Sequence, residues 1–221
     1  MSTIAGYDHL APKFDTTPFR TPQSLLEAVA ARLTEGPHGR FDRLLDLCCG
    51  TGAVLRALAP LYREGVGLDF SPGMLAQARA FEPPPGTTIR TIEADVLQWT
   101  PDGAYDVVTC FGAFGHLMPP DQPRFLSIVR DALKPGGRFV FVTAPNPGPM
   151  RWTWWAARGF NGVMRVRNAV VRPPFIMYYL TFSLDDALER CRAAGLEPTV
   201  SPLGWAPRPD LVLVEARRPA G

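Results

Sequence analysis

The sequence predicts an α/β fold built on a mostly parallel sheet, and three observations carry that prediction. Short runs rich in Val, Leu and Phe alternate with stretches of helical period, as expected of successive βα units. Helix start and stop signals fall between those runs. The last two apolar runs are separated only by residues 204–209, too short for a parallel crossover, so the final strand is expected to run antiparallel.

Strands are expected at 43–48, 65–69, 88–93, 105–111 and 137–143, then at 197–203 and 210–216. Thr21-Pro22 opens a helix carrying Leu25, Leu26, Val29 and Leu33 at helical spacing. Val54, Leu55, Leu58 and Leu61 mark a second. Ser71-Pro72 starts a third, with serine as N-cap and proline in the first helical position. Asp121 is placed to cap a fourth, which stops at Lys134-Pro135-Gly136-Gly137. Ser183 and Asp186 have capping-box spacing, and Gly195 ends that helix. Only residues 144–181 show no clean period, and they read as an insertion over the carboxyl edge of the sheet.

Composition narrows the function classes. A chain of 221 residues, 46% hydrophobic and 20% charged, fits a single globular domain over 1–221. A formal charge of +2 does not point to nucleic acid. The first residues lack a basic segment followed by an apolar one, and the longest apolar run, 175–180, is too short to span a bilayer. Cys48, Cys49, Cys110 and Cys191 have no zinc-type spacing, and His9, His38 and His116 form no local cluster, so no metal is expected. A reduced, cytoplasmic protein is the expectation.

The chemistry concentrates after the first strand. Asp46-Leu47-Cys48-Cys49-Gly50-Thr51-Gly52 contains two glycines that let backbone N–H groups approach a ligand closely. A dinucleotide fingerprint needs a third glycine at position 55, which is Leu, so a pyrophosphate ligand and a dinucleotide oxidoreductase are disfavoured. Asp69 ends the second strand and is placed to accept both hydroxyls of a ribose. Asp95 ends the third strand region, placed to accept from an exocyclic amine such as adenine N6, with the Val96 N–H donating to the ring. A glycine loop with acids at successive strand ends is far more specific than any one part.

These residues resemble the class I S-adenosylmethionine-dependent methyltransferases. The resemblance rests on Asp46 to Gly52, Gly67 to Leu75, Glu93 to Val96, Tyr105 to Val108 and Leu133 to Phe139, in the family's order and spacing over about 43–143. It implies a Rossmann-like seven-stranded sheet with an antiparallel last strand and helices on both faces. It implies S-adenosylmethionine as cofactor: Asp46, Cys48, Gly50, Thr51 and Gly52 at the methionine end, Asp69 on the ribose, Phe70 and Met74 against adenine, and Asp95 and Val96 at its edge. Cys48 departs from the family's usual glycine, and a positive φ there would be strained. Residues 1–35, with Tyr7, Asp8, Phe14, Asp15 and Arg20, resemble a cap over the cofactor.

The acceptor is written less clearly. Phe111 and Phe114 are expected as pocket wall, Phe111 on the cofactor side. His116 is the one histidine at the carboxyl edge and is a candidate base, the alternative being a structural role. Between Asp131 and Asp185 there is no acid, while Lys134, Arg138, Arg151, Arg158, Arg165, Arg167 and Arg172 accumulate among Trp152, Trp154, Trp155, Phe160, Phe175, Tyr178 and Tyr179. Three readings compete for 144–182: a lid whose aromatics form an acceptor pocket, a peripheral membrane contact through 151–180, or core and dimer interface. The function expected is methyl transfer to a small, partly apolar acceptor. Its alternatives are a membrane-associated enzyme with a lipid or quinone-like acceptor and a non-catalytic nucleotide-binding protein.

Overall fold

The computed structural model describes residues 7–8, 11–17, 20–35, 39–171 and 178–220. His9, His38, Arg172 and Phe175 lie outside the described residues. Among these residues β1 (Phe41–Leu47), β2 (Tyr62–Asp69), β3 (Thr88–Glu93), β4 (Tyr105–Thr109), β5 (Leu133–Thr143), β6 (Glu197–Pro202) and β7 (Val212–Arg217) form one seven-stranded sheet. Its order is β3-β2-β1-β4-β5-β7-β6, with β7 antiparallel to both β5 and β6 and the central pairs parallel.

Alternation along the strands divides the core between two faces. Leu45, Leu47, Val108, Phe139 and Phe141 pack with Phe125 and Val129 of α4 (Gln122–Ala132) and Ala187 and Cys191 of α6 (Leu184–Ala193). Leu44, Val107 and Val140 turn the other way, onto Leu26 and Val29 of α1 (Gln23–Thr34) and Leu55 and Leu58 of α2 (Ala53–Leu58). Each fully buried Leu, Val or Phe contributes about 1.5–3 kcal/mol, so this two-sided burial sets the register of every central strand. The chain leaves β1 toward β2 and returns from β3 to β4, on the far side of β1. The gap at that reversal is where open α/β sheets bind ligands.

Several local expectations change. β2 begins at Tyr62, three residues earlier than its apolar pattern. The Tyr62 hydroxyl donates to the Leu55 carbonyl, which buries the aromatic under the sheet's edge. β5 begins at Leu133, where a helix end was expected, and Lys134 to Gly137 bulge between the pairs Tyr105–Leu133 and Val107–Arg138. A side chain at Gly137 would lie 2.9 Å from two carbonyl oxygens, which explains the glycine there. Asp121 does not cap α4 with its side chain, because it sits in helical backbone at the end of a 3-10 turn, Pro119–Asp121. Ser71 does cap α3 (Pro72–Arg79), accepting from the Met74 N–H. Ser183 makes no such bond, and its hydroxyl donates to the Asp186 carboxylate instead.

The largest departure is α5 (Trp152–Val170), a helix of 19 residues inside the segment that shows no clean period. It is joined to the sheet side by paired hydrogen bonds between the Asn161 side chain and the Tyr179 backbone. Residues 178–184 then rest on the loop after β4, through Tyr178 N–H to the Gly115 carbonyl and Thr181 to the Phe114 carbonyl. No described helix is long and apolar enough to cross a membrane.

Candidate active site

Asp46 is the first polar group of the site. It stands near the end of β1, in the centre of the sheet, and is 1% exposed. The Thr109 hydroxyl donates to Oδ1 at 2.7 Å, while Oδ2 has no hydrogen-bond partner among the described residues. Burial pushes the carboxyl up to about 7, against the Thr109 hydrogen bond and with help from the nearby charge of Asp69. An orphaned buried carboxylate oxygen is costly in isolation and matches the need of a ligand ammonium group.

The loop after β1 is bent by three residues at positive φ: Cys48 at 56°, Gly50 at 54° and Gly52 at 81°. Glycine tolerates this, whereas Cys48 carries a strain of about 1–2 kcal/mol. The loop lies directly on β2. A Cβ at Gly67 would come within 2.8 Å of the Cys49 sulfur and of Leu55 Cδ1, so only glycine permits the contact.

Asp69 holds the loop from the other side. Its Oδ2 accepts from the Gly50 N–H at 2.8 Å and its Oδ1 from the Ser71 N–H at 2.9 Å. Burial still raises its pKa, because desolvation outweighs the backbone donors. Each oxygen keeps a second lone pair, so the carboxylate retains capacity for hydroxyl donors. Asp95 is exposed, and its Oδ1 accepts from the Leu97 N–H, which folds the turn that presents the Val96 backbone.

Described residues of the N-terminal segment bond to this edge. Asp8 Oδ1 accepts from the Ser71 hydroxyl and from the Gly73 N–H at the start of α3. Asp15 accepts from Thr51 at 2.7 Å and pairs with Arg56. The Tyr7 hydroxyl lies 2.9 Å from His116 Nδ1, and its ring meets Phe70 edge-on with centroids 5.7 Å apart. Burial, helped by the charge of Asp69, raises the Tyr7 phenol, so it remains a neutral hydroxyl.

One cavity of about 470 Å³ gathers these groups. Asp46, Cys48, Gly50, Thr51, Asp69, Phe70, Met74, Asp95, Val96, Phe111 and His116 all line it. Gly52 does not, because it turns against Ala78 behind the loop, where a Cβ would lie 3.0 Å from the Ala78 methyl. Phe114 also leaves the wall: it stacks on Phe182 at 4.1 Å and joins Phe125, Phe139 and Phe141 in the core. Among the described residues of 144–182, none lines the cavity, so none of the described aromatics forms the expected acceptor wall. Lys134 pairs with Asp106 and Arg138 with Glu215, away from it. Thr109, Arg56 and the Tyr7–His116 pair are additions that the sequence pattern does not single out. Among the described residues no cluster of His, Cys, Asp and Glu could hold a metal ion.

A family model described as a methyltransferase domain matches residues 44–137. Trans-aconitate 2-methyltransferase of Streptomyces avermitilis is 34% identical over 205 residues, covering 80% of this chain and 75% of that protein. Demethylmenaquinone methyltransferase of Thermus thermophilus is 43% identical over 109 residues, 48% of each protein, so the chain spans about half the length of that relative. The solved DhpI-SAH complex superimposes with a TM-score of 0.72 at 22% identity, over 100% of this chain and 97% of that one. With the glycine loop, the carboxylates at successive strand ends and the seven-stranded order all in place, the chain belongs to the class I S-adenosylmethionine-dependent methyltransferases.

Proposed function

We propose that this protein transfers a methyl group from S-adenosylmethionine to a small, partly apolar acceptor. The observation that carries the reading is a cavity in which Asp46, Asp69 and Asp95, at or just beyond three strand ends, face a glycine loop. Asp46 Oδ2 takes the ammonium of the methionine end, and the backbone of 48–51 contacts its carboxylate. Asp69 accepts the ribose hydroxyls, Phe70 and Met74 flank the adenine, and Asp95 with the Val96 N–H reads its edge. The cofactor supplies an electrophilic methyl group on a positively charged sulfur. The protein's own task is alignment and the exclusion of water.

The remaining wall, with Tyr7, Phe111, His116, Leu117 and Met118, receives the acceptor. His116, oriented by the Tyr7 hydroxyl, accepts the acceptor's proton. A lipid or quinone-like acceptor is a second reading, favoured by the Thermus relative named for demethylmenaquinone and by the uncovered apolar face of α5.

Calorimetric titration tests the cofactor. S-adenosylhomocysteine is expected to bind and NAD to give no heat, and tight NAD binding with no response to S-adenosylhomocysteine would overturn the reading. His116→Ala is expected to keep that affinity and to lower turnover by about two orders of magnitude. Full turnover in the variant returns His116 to a structural role.

A further inference from the structure

The solvent side of α5 is apolar. Trp152, Trp155, Val163, Val166 and Val170 are each between 61% and 77% exposed. At 100° per residue these positions, with Ala156 and Gly159 between them, fall in one stripe along the helix. The opposite side faces the protein through Met164, its one buried residue, and through Asn161 and Asn168, which bond to Tyr179 and Tyr178. An amphipathic helix usually buries its apolar face. This one presents it to solvent over about 28 Å of helix length.

The charges beside the stripe are all positive. Arg158 and Arg165 border one side, with Arg158 stacked on Trp154 at 4.7 Å, and Arg167 borders the other. No acid occurs anywhere from residue 132 to residue 184. A second copy docked on the same face would bring two sets of arginines together with no acid to pair them, which disfavours a symmetric dimer. An anionic lipid surface satisfies both features at once. Tryptophan and valine enter the headgroup–acyl boundary while the arginines meet phosphate.

We propose that α5 lies in the plane of an anionic bilayer as a peripheral anchor, its Trp152-to-Val170 stripe inserted and its arginines on the lipid headgroups. The anchor does not require the methyl-transfer reading: it is a property of the outer face of α5, away from the cavity.

Vesicle co-sedimentation of the full chain tests it, with phosphatidylglycerol-containing and pure phosphatidylcholine vesicles compared at low and high salt. Wild type is expected to pellet with the anionic vesicles at low salt only. Val163→Glu with Val166→Glu is expected to reduce the bound fraction roughly tenfold. An unchanged circular dichroism spectrum and melting curve establish that the double variant is folded. Failure to bind anionic vesicles at low salt, or equal binding by the folded double variant, overturns the proposal. So does a wild-type dimer that the double variant converts to monomer. Because no cofactor is present, failure here leaves the S-adenosylhomocysteine titration standing, and the reverse also holds.

Discussion

The carboxyl ends of β1 and β2 and the outer face of α5 depart from the usual partition of residues in opposite directions. At the strand ends, Asp46 and Asp69 are 1% and 6% exposed. On α5, tryptophan and valine stand in solvent. The first inversion is offset in part within the molecule, by Thr109, Gly50 and Ser71 donating to the carboxylates, while Asp46 Oδ2 has no hydrogen-bond partner among the described residues. The second is hardly offset: among the described residues, Trp155 donates to the Pro149 carbonyl and meets Trp154 edge-on, while the valines of the stripe stay exposed. Buried carboxyls held in place by internal donors describe a site already organised, whereas an exposed apolar face describes one completed from outside.

The largest test of that contrast is Asp69→Ala. It removes the acceptor of two backbone N–H groups together with the expected ribose contacts. Affinity for S-adenosylhomocysteine should fall by roughly 1.5–3 kcal/mol, or about 10- to 150-fold. Unchanged affinity in calorimetry would remove Asp69 from the site and make its burial merely structural.

Asp46 gives the next effect, and it depends on pH. Its carboxyl titrates near 7 in the folded chain, against about 3.9 when unfolded. Between those values the folded protein holds a proton that the unfolded chain has lost. Stability of the ligand-free protein therefore declines as pH rises through this window, and the penalty is complete above about 7. Asp46→Asn lacks this titration, so its melting temperature relative to wild type should rise from pH 5 to pH 8. A constant difference across that range would mean that Asp46 stays ionised and has a partner.

The smallest effect is expected on the helix. Trp152→Ala should change stability by no more than about 0.5 kcal/mol, since the side chain is 77% exposed and leaves no cavity. A loss of several kcal/mol in chemical denaturation would show that the face is covered in solution, and the contrast would collapse.

What the sequence made legible follows the same division. The glycine loop, Asp46, Asp69 and the strand alternation are fixed by local backbone geometry and by a two-residue period, and each leaves a short-range signature. β5's early start was hidden because a bulge at residues 134–137 mimics a helix stop. α5 was hidden because its apolar residues occur on more than one face: Trp154, Phe160 and Met164 lie off the exposed stripe and blur its period. The Tyr7–His116 contact joins residues 109 apart in sequence, and no local pattern announces such a pair. Phe114 was misplaced for a related reason. Adjacent aromatics in one loop, Phe111 and Phe114, turn to opposite destinations, and composition does not record direction.

The seating of the β1 loop on Gly67 also bears on how the site can change. Behind that wall of the cavity lie a left-handed turn and a glycine with no room for one more carbon, and the Gly50 N–H is held by the Asp69 carboxylate. Point substitution has little room in a loop so closely seated. The facing wall is made of side chains from the N-terminal segment and the 111–118 loop, each replaceable without moving the strands. One half of the chamber is thus inherited with the fold, and the other is open to drift, so new ligands can be tried against a fixed partner.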